Sequence, residues 1–198
     1  MPLPPPVSDR KLSHVRRVTY QGFEREDGLW DIEAELHDSK PEDRPSRHSP
    51  DGVRRAGEAI HHMWLRVTVD PQLTVHAIES AMDAHPLRQC PESERALQAM
   101  VGCNMARGWR KSINTHLGGE VGCTHMRELL FNLATATFQT VHAAFKQPSD
   151  DTPPRHLGQC HGWAFGGEGV KEHYPQFYRR QSDGLRPVTA EETKSGRD

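Results

Sequence analysis

The residues best suited to chemistry begin with Cys123 and His125. They follow the glycine-rich run Gly118-Gly119-Glu120-Val121-Gly122 and open a long apolar-striped stretch. The first turn of a helix exposes free N–H groups and the positive end of the helix dipole. That setting favours a thiolate, the form of cysteine that binds metal or attacks carbon. A cysteine at a tight turn is equally at home as a small buried hydrophobe, with the nearby histidine as a cap. Cys90, between Pro86 and Pro91, and Cys160, beside His161 in a second glycine-rich stretch, are the other thiols a metal could recruit. The expected ligand set is therefore Cys90, Cys123, His125 and Cys160, holding a zinc or iron ion. Cys103 falls within a helical segment and reads as core.

Acid–base candidates come from the N-terminal half. His61-His62 stands at the entry of a strand, so one ring must face inward. An inward histidine can move protons or ligate metal. Asp31, Glu33 and Glu35 alternate along one strand face, and Asp31 and Glu33 flank Trp30 or lie close to it. Carboxylates in unlike environments can divide acid and base roles, although a charged sheet face is ordinarily just solvated. The catalytic candidates are Asp31, Glu33, His61 and His125.

Strands and helices must position these groups. From Trp30 to His37 apolar and polar residues alternate without a break, which predicts a half-buried strand. His14 to Phe23 is rich in Val, Thr and Tyr, and Glu26-Asp27-Gly28 supplies the turn between the two. Met63 to Val69 alternates again, and Leu73 to Ala81 predicts a weaker strand that ends before His85-Pro86. Between them, Ser39 to Gly57 reads as a long surface loop. After Cys90 the pattern turns helical: Glu92 to Met105, Arg107 to His116, then Thr124 to Phe145, with Thr124 as N-cap and Pro148 beyond the end. Gln147 to Arg155 reads as a loop, and Leu157 to Phe165 as a short edge segment. Strands first and helices after predict an α+β fold: a small antiparallel sheet in the N-terminal half, packed by helices from the C-terminal half.

Hydrophobic residues are only 34% of the 198, but they concentrate between Val15 and Phe145, enough for one modest core. Residues 1–12 and 181–198 read as mobile ends around a single domain at 13–180. A formal charge of −2 with interspersed signs excludes a general nucleic-acid binder. No apolar run reaches membrane-spanning length and no apolar leader opens the chain, so the expected setting is the cytoplasm, with thiols reduced. The chain lacks the H-E-x-x-H, phosphate-loop, dinucleotide-glycine and nucleophile-elbow signatures. A homodimer is expected only from the base rate for such domains.

Three segments, Asp27-Gly28-Leu29-Trp30-Asp31-Ile32-Glu33-Ala34, His61 to Asp70 and Gly122 to Leu130, together resemble a bacterial family catalogued as a domain of unknown function, numbered 2889. The resemblance runs from about Arg16 to Tyr178. It implies that His61, Cys90, Cys123, His125 and Cys160 occupy recurrent positions. It also implies that His62 stands where an Asp is usual, and Cys103 where an aliphatic residue is usual. The order of strands, Cys90, helices and Cys123 is also similar to the NifU-like iron–sulfur scaffolds. There the loop Ser39 to Gly57 offers Asp43, His48 and Asp51 where a cysteine would stand.

The expected function is a metal-dependent enzyme acting on a small aromatic or acyl compound. Lyase-type C–C or C–O cleavage comes first and hydrolysis second, in a catabolic role. Trp30, Trp64, Phe138 and Trp163 are the expected apolar lining. The alternative is a metal or iron–sulfur carrier without catalysis.

Overall fold

A computed structural model describes residues 3–141 and 152–179. The predicted tail 181–198, the end of the long helix at 142–145 and most of the loop Gln147 to Arg155, Pro148 included, lie outside the described residues. The chain divides into two compact units, Met1–Phe145 and Lys146–Asp198, and each is described by itself.

The first unit is α+β. Strands β1 (Val15–Glu24) and β2 (Trp30–Ser39) form the predicted hairpin. β3 (Arg44–Pro45) and β4 (Val53–Arg54) make a small ribbon within the following loop. β5 (Ala59–Val69) and β6 (Val75–Ala84) complete an antiparallel sheet of order β1-β2-β5-β6. The strict alternation of β2 places Trp30, Ile32, Ala34 and Leu36 on the buried face, opposite Val69, Val67, Leu65 and Met63 of β5. Glu33, Glu35, Trp64 and Arg66 take the other face by the same parity.

A 3₁₀ segment (Cys90–Met100), α1 (Trp109–Leu117) and α2 (Thr124–Val141) follow. α2 packs on β1, β2 and β5, and the 3₁₀ segment on β6 and α1. Leu129, Leu130, Leu133 and Val141 of α2 meet the sheet's apolar face in one core that also takes Ile113 and Leu117 of α1. Trp109 buries its ring there and satisfies its indole N–H on the Leu130 carbonyl, at 2.8 Å. The cap of α2 falls one residue before the expected Thr124: the Cys123 carbonyl accepts the first helical bond, from the Arg127 N–H at 3.0 Å. The turn into it needs Gly122, because a Cβ there would lie 2.6 Å from the Leu117 carbonyl oxygen.

In the second unit the described residues form two short 3₁₀ turns (His161–Trp163 and Pro175–Phe177) and α3 (Glu168–His173). Leu157 to Phe165 is not the edge segment expected from its composition. The Gly158 N–H bonds back to the Trp163 carbonyl at 2.6 Å, curling the stretch into a loop whose backbone groups are spent locally.

Candidate functional site

The alternation of β2 does not stop at His37. One step further it places Asp38 on the buried face, paired with His61 of β5. Just beyond this pair the register shifts, with Ile60 as the extra residue of β5, and β6 carries another shift beside His62. Bulges of this kind end regular pairing and re-aim side chains. The apolar stripe of the sheet thus finishes in a polar end, roofed by the first turn of α2.

Asp38 is only 2% exposed. Arg16 of β1, directly opposite, grips it with two donors: Nε to Oδ1 and Nη2 to Oδ2, each at 2.8 Å. His14 reaches Oδ1 through Nε2 at 3.1 Å, and His61 reaches Oδ2 through Nδ1 at 3.0 Å. Three hydrogen bonds and the His14 contact thus surround the carboxylate oxygens. Burial alone would push this carboxyl up; the hydrogen bonds and charge of Arg16, with His61 and His14, outweigh it and hold the group at about 2. Asp38 is therefore an anion at neutral pH.

An anionic Asp38 makes His61 Nδ1 the donor, which leaves its Nε2 free. From α2, the His125 ring lies over the His61 ring, centroids 4.0 Å apart. Burial pushes His61 below the ordinary histidine range, against the pull of Asp38. Burial pushes His125 down too, aided by the positive charge of His61 and Arg16. Both shifts favour the neutral imidazole. Cys123 sets its Sγ 3.8 Å from His125 Nδ1.

Asp38, His61 and His125 each offer a ligand atom, all within 4.8 Å of one another. In a tetrahedral site with bonds of about 2.1 Å the ligand atoms lie roughly 3.4 Å apart, so a pair at the 4.8 Å limit closes by about 1.4 Å on one ion. Neutral imidazoles and an ionised carboxylate are the protonation states that coordination requires. The residues fit a zinc or ferrous ion, and a cation that binds Asp38 displaces one of the groups now on its carboxylate.

Of the sequence-predicted residues, His61, Cys123 and His125 come together here. Asp31 and Glu33 do not join them: strand parity puts both on the opposite face of the sheet. There Asp31 accepts from Thr68 Oγ1 at 2.6 Å and Glu33 from Arg66 Nε at 2.8 Å. His62 shares that face and contacts Glu35 at 2.9 Å. Cys90 opens the 3₁₀ segment on the β6 side and is not part of the ligand group. Cys160 is exposed in the second unit. Asp43 and Asp51 of the long loop are both paired with Arg55.

The expected aromatic lining is dispersed as well. Trp30 is in the core, Phe138 packs against it, Trp64 is on the opposite face and Trp163 is in the second unit. What borders the cluster is a groove of about 330 Å³ between β1 and α2. Sequence reasoning missed Asp38, Arg16 and His14. The signal for Asp38 was present: counting the alternation two residues past Leu36 lands on it.

Among the described residues no helix is long and apolar enough to cross a membrane. No curated protein and no solved structure matches the chain, so the NifU-like analogy gains no support. The sheet, the site residues and nearly all of α2 fall within residues 14–139, which match the family described as "Protein of unknown function (DUF2889)", and the chain belongs to that family.

Proposed function

We infer that the protein is a metal-dependent enzyme whose reacting centre is the Asp38–His61–His125 cluster, acting on a small aromatic or acyl compound by lyase-type C–C or C–O cleavage. The observation that carries the reading is a buried anion beside two neutral imidazoles, with ligand atoms within 4.8 Å. A bound zinc or iron ion would supply Lewis-acid polarisation of a substrate oxygen. The chain's own residues do the rest. Arg16 holds Asp38 ionised and fixed. Asp38 fixes the tautomer and plane of His61 through its bond to Nδ1.

Elemental mass spectrometry of the untagged protein, purified and then reconstituted with zinc or ferrous iron, tests this. About one metal per chain is expected, lost in His61→Ala and His125→Ala and retained in Cys123→Ala. No metal in the reconstituted wild type overturns it.

The 3.8 Å contact of Cys123 Sγ with His125 Nδ1 favours a second reading: a metal-free thiol nucleophile with His125 as its base. That reading expects iodoacetamide to alkylate Cys123 at least several-fold faster in the wild type than in His125→Ala.

A further inference from the structure

The groove beside the cluster has a lining that selects a ligand. Its walls are apolar where Val18 of β1 and Leu36 of β2 face Leu129 of α2. Val18 remains 41% exposed although strand parity puts it on the face that α2 covers. Among the described residues none fills this space. At about 330 Å³ the groove sits at the low end of small-molecule sites, which run from about 300 to 1,000 Å³. It suits a body of one ring or a short acyl chain.

Its polar end is Arg16. Two of the guanidinium donors are committed to Asp38, but Nη1 turns away and binds Glu128 Oε2 at 2.7 Å. Glu128 is 49% exposed and anchored by nothing deeper than that bond, whereas Asp38 is buried. An incoming carboxylate that takes the place of Glu128 leaves the charge around Arg16 unchanged. The exchange therefore escapes the penalty of adding a third negative charge beside Asp38. The displaced Glu128 swings into water at little cost, as expected for an exposed ion pair.

We propose that this groove is the substrate site and that it takes a small carboxylic acid with a compact apolar body, whose carboxylate replaces Glu128 on Arg16 Nη1. The proposal rests on the reading of the adjacent cluster as a reacting centre, because it sets an apolar acid within reach of that cluster. Glu128 is then a positioning residue: a built-in competitor that keeps Arg16 aligned on Asp38 until the ligand arrives.

Calorimetric titration of the full chain with benzoate, and with benzamide as its uncharged counterpart, tests it. The wild type is compared with Glu128→Gln, which removes the competing charge at an exposed position, and Val18→Trp, which fills the groove. Benzoate is expected to bind Glu128→Gln at least fivefold more tightly than wild type. Benzamide should show no such gain, and Val18→Trp should abolish benzoate binding. Absence of benzoate binding in both wild type and Glu128→Gln overturns the proposal. So does an equal gain for benzamide, or benzoate binding that survives Val18→Trp. All titrations are run in chelator, so a failure here is separate from a failure of the metal reading.

Discussion

Asp38 shows what a single buried charge contributes. Holding its carboxyl at about 2 rather than the ordinary 3.8 corresponds to roughly 2 kcal/mol favouring the ionised folded form. Because the folded value is depressed, this stability is fully present above the unfolded value near 4. It is lost as pH falls through 2. Asp38→Asn should therefore unfold about 2 kcal/mol more easily in urea at pH 7. The wild type should lose most of that advantage between pH 4 and 2. A variant as stable as wild type at pH 7 would show that Arg16 finds an equal partner elsewhere. Residue identities alone pointed to His61, Cys123 and His125. They did not point to Asp38, because an aspartate at the end of an apolar alternation reads as the point where the strand stops. Arg16 and His14 were hidden for another reason: their role depends on the β1–β2 register, which pairs residue 16 with residue 38.

At the scale of elements, the sheet was legible because alternation survives in each strand: Trp30 to Leu36 in β2 and Met63 to Val69 in β5. The face each carboxylate occupies was legible too, and it separates Asp31 and Glu33 from the cluster. Whether Cys90 would meet Cys123 was not, since strand order and helix packing decide that and neither is a local property. The α2–sheet contact has a tight point that local patterning does not reveal. Gly22 of β1 faces Thr140 of α2, and a Cβ at Gly22 would lie 2.7 Å from the Thr140 Cβ. Both atoms are close to the backbone, so no rotamer change relieves the overlap. Gly22→Ala should cost about 1–3 kcal/mol in chemical denaturation. Because the helix would be lifted at its C-terminal end, far from Cys123, the metal content should be kept. Loss of metal at unchanged stability would contradict this picture of how α2 is seated.

Across the whole molecule, the main core draws its residues from Trp30 to Val141, inside the first compact unit. A chain ended after Phe145 should therefore unfold in one cooperative transition with the far-ultraviolet signature of the α+β unit, checked by circular dichroism in urea. A non-cooperative melt would mean that residues beyond 145 are needed to complete the fold. The same unit contains a feature that separates the cluster from the long connection between β2 and β5. Ile60, the extra residue of β5, lies between the Asp38–His61 pair and the long connection that carries β3 and β4. Only the Ser39–Ala59 pair lies beyond it, and the extra residue sits between that pair and His61, where it can take up a change in the length of that connection before the change reaches His61. The bulge works as a mechanical decoupler. The segment around Ser46 to Asp51 can be lengthened, shortened or made to carry a grafted peptide while the two strands beneath continue to present the carboxylate and the imidazole in the same relation.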